Sequence, residues 1–294
     1  MTVENVGVIG CGAMGGGIAM VVAAEGYAVT VLEIEERFLT AGMEKIDMFL
    51  SKSVKKEKIS TGQKEATLKR IKGTLDSNDL AQCDLVIEAA LEDIQVKREI
   101  FQKLDGICKD DTILATNTSS LTVIEIAEAT KRQDRVLGLH FFNPAPLMPL
   151  VEVVKTVKTG DEAFRKAWEF VESIKKIPIA AKDSTGFIVN LLLIPYLLDA
   201  IRALGEGVAS VEDIDKGMQY GCGHPMGPLA LLDLIGLDVI YNVANIMYDE
   251  YKEKKYAPPP LLRQMVIGGM LGKKTGRGFY DYSGNEPKPV TFYV

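Results

Sequence analysis

A chain of 294 residues that is 47% hydrophobic and 25% charged has an ordinary globular composition and enough length for two compact units. Its net charge of -6 and pI near 5.2 exclude a surface built chiefly to neutralise nucleic-acid phosphates. The four cysteines, Cys11, Cys83, Cys108 and Cys222, form no C-x-x-C pair, which predicts free packing thiols in a reducing compartment rather than disulfides or a metal site.

The first strand pattern, Val6-Gly7-Val8-Ile9, begins almost at once, with no basic and apolar leader before it, so a cytoplasmic location is expected. Residues 18–24 read as a helix, Ala28-Val29-Thr30-Val31-Leu32 as a second strand, and the stretch behind it as a long amphipathic helix. On that helix Met43, Ile46, Phe49 and Leu50 make an apolar face, while Lys52 and Lys56, four apart, make a basic one. Further strands are expected at 85–89, 112–115 and 135–140, with helices around 96–104 and 120–127 between them. Alternation of β-branched runs with helical periods predicts βαβ units, hence an α/β, Rossmann-like doubly wound parallel sheet covered on both faces.

Leu150-Val151-Glu152-Val153-Val154 is one more strand, and the Pro-rich connection before it lets it fold back beside the strand that ends at His140. After Pro178 strand-like runs nearly vanish and helical periods follow at 187–204, 211–220, 229–251 and 260–271, the second opened by Ser210 as N-cap with Asp213 three residues on. The expected division is a sheet domain over 1–184 and an all-α C-terminal domain over 185–294. The apolar stretch 187–198 is interrupted by Asn190 and Pro195 and falls short of the roughly 20 residues of a membrane helix, so it reads as a buried helix and no membrane partner is expected. A helical domain of that size would bury its faces well against a twin, which predicts a homodimer through it.

Gly10-Cys11-Gly12-Ala13-Met14-Gly15 is a G-x-G-x-x-G that follows a strand and opens a helix. Gly10 permits a tight turn, Gly12 a close approach of backbone to a pyrophosphate, and Gly15 close helix–strand packing, with the phosphates at the positive helix end. Glu33 ends the second strand, where an acid accepts from the ribose hydroxyls and repels a 2′-phosphate, so the expected cofactor is NAD.

Hydride exchange with a secondary alcohol needs a group that moves the hydroxyl proton. There are two histidines, and His140 ends an apolar strand just before Phe141-Phe142-Asn143-Pro144-Ala145-Pro146, at the end of the sheet where open α/β folds bind ligands. Glu152, an acid in an apolar strand, would need a partner if buried, and a Glu-His pair would orient the imidazole and stabilise its charged form. The competing reading places His140 among satisfied core residues and Glu152 on a solvent-facing edge.

Taken together, the glycine loop, Thr116-Asn117-Thr118-Ser119-Ser120, His140-Phe141-Phe142-Asn143-Pro144-Ala145-Pro146, Leu150-Val151-Glu152-Val153, His224-Pro225-Met226-Gly227-Pro228 and Gly276-Arg277-Gly278-Phe279-Tyr280 resemble, in order and spacing, the L-3-hydroxyacyl-CoA dehydrogenases, most nearly their short-chain 3-hydroxybutyryl-CoA branch. The resemblance covers essentially the whole chain. It implies that His140 is the general acid/base, Glu152 its orienting carboxylate, and Ser119 and Asn190 the groups around the reacting oxygen and thioester of an acyl-CoA substrate, in a cleft between the domains. It also implies Glu92, Lys97 and Asn117 near the cofactor and Lys52 and Lys56 near the phosphates of coenzyme A.

Two departures stand out: Ser184-Thr185-Gly186-Phe187 replaces the usual Pro-Gly-Phe turn, and Leu191 follows Asn190 where arginine is common. Other readings are a related gulonate-type sugar-acid dehydrogenase, which would not need a CoA group, and a non-catalytic NAD-binding structural protein.

Overall fold

Residues 3–292 are described by the computed structural model, so Met1 and Thr2 of the amino-terminal reading and the last two residues of the second domain's span lie outside the described residues. Two units divide the chain, Met1–Phe187 and Ile188–Val294.

The first unit is a single sheet of eight strands: β1 Asn5–Ile9, β2 Ala28–Leu32, β3 Ile71–Thr74, β4 Leu85–Glu88, β5 Ile113–Thr116, β6 Val136–Phe141, β7 Leu150–Lys155 and β8 Ile177–Lys182. Its order is β3-β2-β1-β4-β5-β6-β7-β8. Strands β3 to β6 run parallel, β7 returns antiparallel to β6, and β8 runs parallel to β7. β4, β5 and β6 are buried at every position, as expected of apolar strands covered on both faces. The cover comes from α1 Ala13–Ala24, α2 Glu36–Lys55, α3 Thr61–Lys69, α4 Ile94–Ile107, α5 Val123–Ala127 and α6 Asp161–Ser173. Chain order reverses between β1 and β4, and that switch point opens a crevice beyond the carboxyl ends of the strands.

Two strands of this sheet, and the short β-pair of the second unit, lie outside the sequence expectation. β3 is four residues of Ile-Lys-Gly-Thr, too short and polar to show a strand period. β8 contains Pro178, which reads as a strand breaker, but β8 is the sheet's last strand, where a missing N–H costs no ladder bond.

The second unit holds α7 Val189–Gly205, α8 Val211–Cys222, α9 Pro228–Ile235, α10 Leu237–Tyr251 and α11 Pro260–Ile267, with a short antiparallel pair, β9 Tyr280–Asp281 and β10 Lys288–Pro289. The expected single helix over 229–251 is two helices bent by 96° at Gly236, whose φ of 107° suits glycine alone. Ser210 caps α8 as expected, its Oγ accepting from the Asp213 N–H. Two buried acids organise this unit. Asp215 accepts from the N–H groups of Leu229 and Ala230 at the start of α9 and from the Tyr280 hydroxyl, and Asp233 accepts from the N–H groups of Phe279 and Tyr280 and from the Tyr282 hydroxyl. Among the described residues no single helix is long and apolar enough to cross a membrane; α9 and α10 reach that length and composition only together, across their bend.

The cysteine reading needs one correction. Cys11, Cys83 and Cys108 are buried, and burial first of all pushes their thiols up to about 11, 12 and 11, which leaves them unreactive packing groups. Cys222 is exposed instead, because it falls on the last residue of α8, on the solvent side.

Candidate active site

The glycine loop leaves β1 through Gly10, whose φ is 91°, and enters α1 through Gly12, which caps the helix with no side-chain bond to its first N–H groups. Gly12 faces open space, whereas a Cβ on Gly15 would lie 2.0 Å from the Gly10 carbonyl oxygen, so helix and strand touch there. Ala13 and Met14 form the first turn of α1. Glu33, just past β2, sits over the loop: its Oε1 accepts from the Cys11 N–H at 2.6 Å and its Oε2 from the Ile34 N–H at 3.0 Å. Unshared N–H groups at a helix start, a glycine with room above it and a neighbouring carboxylate fit the phosphates and ribose of a dinucleotide.

Across the switch point, β4 ends at Glu88, which is fully buried. Lys97, only 1% exposed on α4, donates to Glu88 Oε1 at 2.7 Å, and the Thr116 hydroxyl at the end of β5 donates to Oε2 at 2.7 Å. Lys97 also lies 3.4 Å from Glu92. Glu92 in turn accepts from the Thr118 and Ser120 hydroxyls and from the N–H groups of Ser119 and Ser120, with the Ser119 hydroxyl at 3.3 Å. Burial opposes a charge on Glu92, but Lys97 and these donors outweigh it and hold its pKa below the usual carboxylate range. The loop that carries Ser119 is thus tied to a buried charge network. Asn117 belongs to the same loop, its N–H bonded to the Glu88 carbonyl and its Oδ1 accepting from the Phe141 N–H at 2.8 Å.

His140 and Glu152 face each other across the antiparallel β6–β7 ladder. The histidine Nδ1 lies 2.6 Å from Glu152 Oε2, with His140 6% exposed and Glu152 fully buried. Rings of Phe142 and Phe187 pack on the imidazole at 4.5 and 5.6 Å. Phe187 follows Ser184-Thr185-Gly186 and has φ 49°, a left-handed backbone that costs a bulky residue about 1–3 kcal/mol, so one of the sequence departures adjoins a strained residue against the histidine.

Lys52 and Lys56 lie at the end of α2 and line, with Lys58, Lys176, Phe49 and Leu147, a cavity of about 520 Å³ in the first unit. Asn190 is in the first turn of α7, in the second unit, and Leu191 packs on that unit's core. His224 is also in the second unit, its Nδ1 3.1 Å from the Tyr196 hydroxyl.

Residues 5–184 match the family model of the 3-hydroxyacyl-CoA dehydrogenase NAD binding domain, and residues 186–282 that of the 3-hydroxyacyl-CoA dehydrogenase C-terminal domain. The chain belongs to the 3-hydroxyacyl-CoA dehydrogenase family. A 3-hydroxybutyryl-CoA dehydrogenase of Mycobacterium tuberculosis is 49% identical to it over 282 residues, 95% of this chain and 99% of that protein. One from Clostridioides difficile is 45% identical over 276 residues, 94% of this chain and 98% of that one. The crystal structure of the (S)-3-hydroxybutyryl-CoA dehydrogenase from Ralstonia eutropha matches with a TM-score of 0.92 at 43% identity, covering 96% of this chain and 100% of that one.

The cofactor of this dehydrogenase is NAD. Of the residues singled out in its sequence, the structure brings the glycine loop and Glu33 together, joins Glu92, Lys97 and Ser119 in one network, and pairs His140 with Glu152. Sequence reasoning missed Glu88, the anchor of that network. Its signal was available, since Leu85-Val86-Ile87-Glu88 is as apolar around its acid as the strand of Glu152, but an acid at a strand end reads as solvated.

Proposed function

We propose that this dehydrogenase interconverts acetoacetyl-CoA and (S)-3-hydroxybutyryl-CoA, with His140 moving the alcohol proton and Glu152 orienting and stabilising it. The observation that carries the reading is the buried 2.6 Å His140–Glu152 pair on adjacent strands beside the dinucleotide crevice, in a chain whose relatives bear the name 3-hydroxybutyryl-CoA dehydrogenase. Bound NADH or NAD supplies or takes the hydride at C3. The His140 Nδ1 is engaged by Glu152, which leaves Nε2 as the atom that gives a proton to the keto oxygen or takes it from the alcohol. A carboxylate on the far nitrogen stabilises the imidazolium that forms when the alcohol is oxidised. Ser119, on the loop held by Glu92, and Asn190, from the second unit, are the polar groups for the reacting oxygen and thioester. Glu92, Lys97 and Asn117 shape the cofactor side, and Lys52 and Lys56 meet the phosphates of coenzyme A.

The test is NADH oxidation on adding acetoacetyl-CoA, with NADPH, free acetoacetate and a keto sugar acid as controls. Turnover of the CoA ester with NADH alone is the expected result; turnover of the sugar acid instead would move the assignment to the gulonate-type reading, which the relatives' names do not favour. A homodimer through the second unit is supported by its exposed apolar side chains, among them Leu192, Val208 and Ile267. A cytoplasmic location is supported by four unpaired cysteines.

A further inference from the structure

The connection from β6 to β7, residues 142–149, carries the reacting pair at its two ends, with His140 before it and Glu152 after it. Three of its eight residues, Pro144, Pro146 and Pro149, have no N–H. Such a segment has few donors of its own, so its carbonyls have to be held by other groups. The Pro144 carbonyl is satisfied locally, accepting from the Leu147 and Met148 N–H groups at 2.9 and 3.1 Å. The carbonyls of Ala145, Met148 and Pro149 are held by Lys176, just before β8, and by Ile177, its first residue. Lys176 Nζ donates to Ala145 at 2.7 Å and to Met148 at 2.8 Å, and the Ile177 N–H donates to Pro149 at 2.8 Å. Ala145 is 1% exposed and sits on α1, where a Cβ on Gly17 would come within 3.3 Å of it. One loop therefore touches the helix of the dinucleotide loop and joins the strands of His140 and Glu152.

Lys176 is an unusual residue for this place. No carboxylate among the described residues pairs with it, and burial lowers its pKa below the ordinary lysine value. An ammonium that loses hydration without gaining a counter-ion is held by the two carbonyl dipoles it bonds.

We propose that Lys176 is a positioning residue of the reaction, clamping the 142–149 loop so that His140 and Glu152 stay in register and the loop stays seated on α1. The inference rests on the dehydrogenase reading, and its rival is that Lys176 serves only as one more charge in the cavity of Lys52 and Lys56.

Steady-state kinetics and amide hydrogen exchange separate the two. In Lys176→Met, kcat at saturating NADH and acetoacetyl-CoA is expected to fall about tenfold or more, because small misplacements of reacting groups are costly, while KM for the ester stays within about twofold. Lys176→Arg, which keeps a donor of similar reach, recovers most of that loss. In the same Met variant the amides of Leu147, Met148 and Ile177 are expected to exchange at least about tenfold faster, with β1 and β4 unchanged. Should Lys176→Met fail to fold, Lys176→Gln carries the same comparison. A raised KM with unchanged kcat, or unchanged exchange in the loop, overturns the clamp. Faster loop exchange in a protein whose wild type turns over no CoA ester upholds the loop clamp and overturns the acetoacetyl-CoA reading instead.

Discussion

Glu88 and Glu152 are the two fully buried glutamates of the described chain, and each is joined to a basic group, Lys97 and His140. A buried ion pair is expensive to desolvate but more expensive to break, about 3–5 kcal/mol when one partner is removed. Lys97→Met is therefore expected to destabilise the fold by about that amount in urea denaturation. Glu92 offers a pH test. Its folded pKa lies below the unfolded value, so it stabilises the fold above the ordinary carboxylate value of about 4.3, and that contribution is lost as pH falls through the folded value. The stability difference between wild type and Glu92→Gln is expected to be present at neutral pH and to shrink below pH 4; a difference constant over that range would remove Glu92 from the network. At this scale the sequence was legible wherever a residue's neighbours along the chain already made it odd, as with Glu152 in its apolar strand. Lys97 was legible only as a charge near the cofactor, because its partner Glu88 is nine residues away and on another element.

Elements with strong periods were legible, and those defined by their place in the sheet were not. β8 tolerates Pro178 because it is an edge strand, and no local pattern says which strand is at an edge. The break between α9 and α10 lay in plain sight at Gly236, but a lone glycine in an apolar period reads as tolerated. Two contacts between elements invite direct tests. Gly15→Ala drives a methyl into the Gly10 carbonyl just past β1, and the overpacking is expected to cost at least about 1–3 kcal/mol and to abolish NADH binding measured by fluorescence titration. Asp233→Ala strips the acceptor from two N–H groups and a tyrosine hydroxyl that hold the final Phe279–Tyr282 stretch to α9. Each buried donor left unpaired costs about 1–3 kcal/mol, so this variant is expected to lose more in thermal denaturation than a typical surface change.

The whole molecule follows the α/β-then-α order that alternating and then purely helical periods predict, and both halves match the corresponding domains of one dehydrogenase family. If the second unit pairs with a copy of itself, light scattering at micromolar concentration gives twice the 32.1 kDa chain mass; the single-chain mass would exclude the homodimer. What unites the molecule is one claim, that a buried histidine–glutamate pair at the end of the sheet moves the proton of a hydride-transfer reaction. Its most direct test is the rate of NADH oxidation by saturating acetoacetyl-CoA in the His140→Ala variant. A loss of about 10²- to 10⁴-fold in kcat, the usual worth of a positioned acid/base, with NADH binding intact, is the predicted result. A variant that binds NADH and turns over at the wild-type rate would contradict it.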